Sequence, residues 1–170
     1  MDTHDRRSIR LPEYDYSQPG AYSVTICVQG KAWKLGEVVG GEMELNALGV
    51  IAHDGWAWLH EMFPAVYVPI FCVMPNHTHA IITINDPGRG GLQTAPTMGG
   101  VWPKPLGRIV GAYKTHTTVQ INQLDKTPSL RFWQRNYYER VIRNPREYAA
   151  TWAYIESNPL NWKIDEDFRV

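Results

Sequence analysis

The stretch Val66–Ile84, VYVPIFCVMPNHTHAIITI, constrains the fold of this chain more than any other. Its two apolar runs are dense in Val, Ile and Thr, whose branched Cβ atoms favour extended backbone. Between them Pro75 lacks an amide hydrogen and biases its neighbour away from helix. The pattern predicts two strands, Val66–Met74 and His79–Ile84, joined by a Pro-Asn turn. At the mouth of the second, buried strand stand His77 and His79.

Other elements follow from similar cues. AYSVTICV (Ala21–Val28) reads as a strand, and Gly40-Gly41 in LGEVVGGEMELN marks a hairpin. Asn46 is placed to cap a helix in which Leu48, Ile51, Ala52, Trp56 and Leu59 recur at helical spacing. A second amphipathic helix is expected over Leu106–Asn122, despite Gly107 and Gly111, and a strand over Tyr137–Ile142. The last helix has Asn144 as its cap, Pro145 at its first position and Glu147 in a box-like pattern, and stops at Asn158-Pro159.

The order is β, hairpin, α, β, β, α, β, α. Without the hairpin and the last helix it is the β-α-β-β-α-β of a ferredoxin-like split βαβ fold. The expected class is α+β: an antiparallel sheet with helices mainly on one face, an inserted β-hairpin and a C-terminal tyrosine-bearing helix. That architecture hosts many functions and selects none. A chain of 170 residues, 44% hydrophobic, suits one domain over 1–170, with an irregular arm at 1–20 and a Gly/Pro-rich flexible loop at 85–104.

Cys27 and Cys72 cannot build a disulfide framework and are expected as buried thiols. No apolar run approaches a membrane span and the N-terminus has no apolar leader, so a soluble, cytoplasmic protein is expected. Formal charge sums to zero but is unevenly spread. Between Arg89 and Arg146 ten basic residues face two acidic ones, a net of +8, and both flanks are negative. Such a basic third offers a face for a polyanion.

Alternation along a strand sends His77 and His79 to one face, with Thr78 pointing away. Two imidazoles so placed can share one divalent ion, although a lone His-x-His motif fits unliganded strand-end histidines equally well. On the last helix Tyr148, Trp152 and Ile155 form the stripe expected to face the core. Tyr154 lies about 100–120° around from it. Asn158, four residues on, shares a face with Tyr154 one turn away. A hydroxyl nucleophile and an oxygen ligand are thus presented side by side.

PNHTHAIITI, GRIVGAYKTHTT, FWQRNYYERVIRN and YIESNP, in this order and spacing, resemble the REP-associated tyrosine transposases, within the superfamily of HUH single-strand nucleases. The resemblance runs from RRSIRLPEYDYSQPGAYSVTICVQ to NPLNW. It implies Tyr154 as nucleophile and His77, His79 and Asn158 as ligands of Mg²⁺ or Mn²⁺. It further implies single-stranded or hairpin DNA as partner and action as a monomer or homodimer. One departure is Thr78, where the family carries a hydrophobe; its burial is expected to be poorer. Tyr137 and Tyr138 are rivals to Tyr154 but lie in the expected strand and lack an amide partner four residues on. Arg108, Lys114, His116, Arg131, Trp133 and Arg135 mix cations with aromatic rings, as single-strand grooves do. The alternatives are a DNA-binding relative that has lost cleavage and a ferredoxin-like RNA-binding module.

Overall fold

The computed structural model describes residues 14–85 and 105–162. Strand β1 spans Gly20–Cys27, and a short 3-10 turn at Gln29–Lys31 leads to hairpin strands β2 (Gly36–Val39) and β3 (Glu42–Leu45). Helix α1 (Ala47–Met62), strands β4 (Val66–Val73) and β5 (His77–Ile84), helix α2 (Leu106–Asp125), strand β6 (Tyr138–Ile142) and helix α3 (Pro145–Ser157) complete it. The main sheet has the order β4-β5-β1-β6 with every neighbour antiparallel. This is the ferredoxin-like α+β arrangement expected from the sequence. Residues 1–13 of the arm and 86–104 of the long loop lie outside the described residues.

Local chemistry explains the boundaries. The Asn46 side chain accepts from the backbone N–H groups of Leu48 and Gly49, which starts α1. At α3 the Asn144 Oδ1 cap accepts from the Glu147 N–H, and Glu147 Oε2 reaches back one residue past the cap to accept from the Arg143 N–H. Gly40 and Gly41 both have positive φ, as a tight hairpin turn between right-twisted strands demands. Pro69 sits in β4, the sheet's edge strand, where the register with β5 shifts between Tyr67 and Ile70. A residue without an N–H is tolerated there because no outer strand needs the donor.

Alternation divides the sheet into two faces. Tyr22, Val24 and Ile26 of β1 and Ala80, Ile82 and Ile84 of β5 enter one core with Trp56 and Leu59 of α1 and Ile109, Val110 and Tyr113 of α2. Trp56 stacks on Tyr113 with ring centroids 4.1 Å apart. Each fully buried large side chain here contributes about 1.5–3 kcal/mol. The opposite face carries His77 and His79, and α3 packs against it over β4 and β5. Of the two cysteines, Cys27 is buried as expected, whereas Cys72 is only half-buried.

Candidate active site

His77 and His79 project from β5 toward α3, and their Nε2 atoms approach to 2.8 Å. Asn76 Oδ1 lies 2.7 Å from His77 Nδ1, and Thr25 Oγ1 lies 2.7 Å from His79 Nδ1. An amide oxygen can only accept, so His77 carries its proton on Nδ1 and turns a lone pair inward. Two neutral rings at that Nε2 separation need one proton between them, which His79 supplies while its Nδ1 accepts from the Thr25 hydroxyl. If the His79 proton moves to Nδ1, the hydroxyl turns to accept it, because a hydroxyl works in either direction. Both Nε2 lone pairs then face the same point.

Helix α3 brings the phenol of Tyr154 to that point. Tyr154 Oη is 3.5 Å from His79 Nε2, with ring centroids 5.2 Å apart. The tyrosine is 49% exposed, so its hydroxyl meets both the imidazoles and solvent. Asn158, one turn further, is buried at 1% exposure, its Oδ1 included. Beyond it the chain turns and lays Trp162 beside His77, with centroids 5.8 Å apart, while Trp33 packs on the far side of that indole. The histidines are therefore roofed and the phenol is left at the rim.

The donor set can be tested against a divalent ion. Two ligands at right angles, each 2.0–2.1 Å from one ion, stand about 2.9 Å apart. The observed Nε2 separation of 2.8 Å needs to open by only about 0.1 Å to reach this value. The two imidazoles, and the buried amide oxygen of Asn158 one turn beyond Tyr154, are neutral nitrogen and oxygen donors of the kind a divalent cation takes. Among the described residues no group of three His, Cys, Asp or Glu side chains could hold a metal. A third donor would have to be another kind of group, and the buried amide oxygen of Asn158 is one such candidate.

One expectation from the sequence, the poorer burial of Thr78, needs correction, and the structure shows where the candidate DNA-contacting residues lie. Thr78 is not poorly buried: it is fully enclosed, its Oγ1 donating to the Cys72 carbonyl at 2.9 Å and accepting from Trp56 Nε1 at 3.1 Å. A hydroxyl replaces a hydrophobe without cost when both its bonding roles are filled. Trp133 is 2% exposed and donates to Thr117 Oγ1 at 2.8 Å, so it is a core residue with no ring face for a base. Lys114 points its ammonium at the carbonyls of Gln134 and Asn136, at 3.0 and 3.1 Å, and tethers the segment after Trp133. Burial lowers its pKa to about 8. His116 stacks on Trp58 at 3.8 Å and bonds Gln120, away from the histidine face. Arg108, Arg131 and Arg135 are exposed. Thr25, Asn76 and Trp162 were not singled out from the sequence. The position of Asn76 beside His77 is the only local signal for any of them, since Thr25 and Trp162 reach the site through the fold.

The fold has a solved counterpart. The structure of a REP-associated tyrosine transposase bound to a REP hairpin matches with a TM-score of 0.62 at 18% identity, over 90% of this chain and 73% of that chain. The fold is that of the REP-associated tyrosine transposases. An uncharacterized protein of Haemophilus influenzae is 34% identical over 171 residues, spanning 96% of this chain and 93% of the relative, and this chain belongs to the same family. No family model matches the chain. Among the described residues no helix is long and apolar enough to cross a membrane.

Proposed function

We propose that this chain is a metal-dependent single-stranded DNA nicking and joining enzyme that uses Tyr154 as its nucleophile. The observation that carries the reading is the approach of Tyr154 Oη to within 3.5 Å of the Nε2 atom of a histidine already paired with a second one. A divalent ion such as Mg²⁺ or Mn²⁺, held by His77, His79 and Asn158, would neutralise charge developing on the scissile phosphate.

The residues of the chain do the rest. Tyr154 Oη attacks the phosphorus in line; the new P–O bond forms as the P–O3′ bond breaks, leaving a 5′-phosphotyrosine and a free 3′-OH. The phenolic proton passes to water at the exposed rim, and the departing 3′ oxygen takes up a proton from water. Attack of a 3′-OH on the phosphotyrosine reverses the bond changes and rejoins DNA without an outside energy source. Asn76 and Thr25 hold the two rings, and Trp162 keeps water from the His77 side. Tyr154 approaches His79 within one chain, so the reading needs no second copy to bring tyrosine and histidine together.

The test is a denaturing gel of labelled single-stranded hairpin DNA incubated with Mn²⁺. A protein-linked product from the wild type that disappears in Tyr154→Phe, and drops at least a hundredfold in His77→Ala, supports the reading. A shifted band on a native gel without any covalent product favours a binding protein. Titration of Mn²⁺ by calorimetry provides a readout apart from cleavage: His77→Ala and Asn158→Ala should both weaken it.

A further inference from the structure

Among the described residues helix α3 covers mainly β4 and β5, and on the β1–β6 half of the same sheet face Tyr138 and Arg140 stay exposed. Register places chemistry there. His79, Thr25 and Tyr138 stand in one row across β5, β1 and β6, and Ile81, Ser23 and Arg140 stand in the next. Tyr138 is 49% exposed, although its neighbour Tyr137 packs against the core. Two residues apart on β6, Tyr138 and Arg140 share a face at about 7 Å, and Tyr138 stands about 10 Å from His79 at the usual strand spacing. An exposed aromatic and a guanidinium therefore flank the histidine row.

A hollow of about 590 Å³ adjoins this half-face, lined by Ser23, Arg140, Arg146, Thr151 and Tyr154 among others. It runs from the phenol of Tyr154 to the start of α3. Arg146 precedes Tyr154 by eight residues, a rise of about 12 Å, or about the span of two extended nucleotides. Glu147 also lines the hollow. Its carboxylate is engaged by the Arg143 N–H and the Asn144 side chain, and lies 3.7 Å from Arg140. With both arginines the wall remains net positive.

We infer that this half-face is a platform for single-stranded DNA flanking the scissile phosphate: Tyr138 stacks one base, and Arg140 with Arg146 hold a neighbouring phosphate. The position relative to the cut rests on the nicking reading above; the binding itself does not. An unstacked base offers its π-face to a tyrosine whatever its sequence, whereas a duplex hides it. Guanidinium forks suit phosphate oxygens.

The probe is a fluorescein-labelled oligothymidylate of about eight nucleotides, followed by anisotropy against full-length protein from low to physiological salt. Tyr138→Ala should weaken binding about 5- to 100-fold, and Tyr138→Phe should restore it because the ring is what stacks. Arg140→Gln with Arg146→Gln should weaken binding and flatten the salt slope by about 0.7 for the phosphate released. All three positions are exposed, and unchanged thermal melting checks that the variants fold. Wild-type affinity and slope in the variants, no binding by the wild type, or tighter binding of the matching RNA would each overturn the platform. Loss of binding in the variants of a chain that never forms a covalent product supports the platform and refutes only the nicking reading. A covalent product from variants that bind DNA unchanged refutes only the platform.

Discussion

Replacing Thr25 by valine removes one hydroxyl and keeps the branched shape that suits β1. In the wild type that hydroxyl serves His79 Nδ1 at 2.7 Å in both tautomers. Without a cation it donates to a neutral ring nitrogen, a bond worth about 0.5–1.5 kcal/mol. With a cation on Nε2 it accepts from a polarised Nδ1–H, a bond nearer the charged class at about 1.5–3 kcal/mol. The difference between the two states, about 1.3 kcal/mol, is what metal binding loses, or about tenfold in affinity. This agrees with the usual effect of removing a partner that orients a metal-bound histidine. Isothermal titration of Mn²⁺ into wild type, Thr25→Val and Thr25→Ser measures it, with serine expected to recover most of the loss. Equal Mn²⁺ affinity in wild type and valine variant would refute the assignment of Thr25 as the residue that lets His79 turn its lone pair inward.

Other perturbations probe the scaffold. Gly49→Ala places a Cβ 2.0 Å from the Leu35 carbonyl oxygen, so it should cost about 2–3 kcal/mol in urea denaturation despite alanine's better helix propensity; an unchanged midpoint contradicts that packing. Thr78→Val strips Trp56 Nε1 of its acceptor at 3.1 Å and should destabilise by about 1–2 kcal/mol, whereas Thr78→Ser should cost less; a stabilised valine variant would count against the bond. The Lys114 ammonium is lowered by burial from 10.5 to about 8, so the unfolded chain holds its proton more tightly. The stability of the wild type relative to Lys114→Met should therefore rise between pH 8 and 10.5, by about 1 kcal/mol at pH 9.5 after allowance for solvent screening. A difference that stays constant from pH 7.5 to 9.5 refutes this.

Much of the fold was legible because its signals are local. Asn46, Gly40-Gly41, Asn144 and Pro145 act on backbone within a few residues, and the structure has each element they mark. Boundaries moved by one or two residues, with β5 beginning at His77 and β6 at Tyr138, and α2 runs one turn past Asn122. That His77 and His79 share one face, and Tyr154 and Asn158 another, was also legible from period two on a strand and the i, i+4 spacing on a helix, whereas the meeting of the two faces was implied only by the family resemblance. Directions on α2 were harder. The excess of basic charge counts Lys114 as surface, yet its long chain folds back onto carbonyls more than twenty residues away in sequence. Trp133 follows exposed Arg131 by two residues, but the bridge to Val28 turns it inward. Thr25 could not be read at all, because its role depends on strand register across the sheet.

The most direct measurement is the chemical identity of the residue left bearing DNA. Wild-type protein is reacted with single-stranded hairpin DNA and Mn²⁺, digested with protease and nuclease, and mapped by mass spectrometry. A nucleotide adduct on the peptide containing Tyr154 is the predicted result. An adduct on Tyr137 or Tyr138, or nicked DNA with no protein attached, contradicts it.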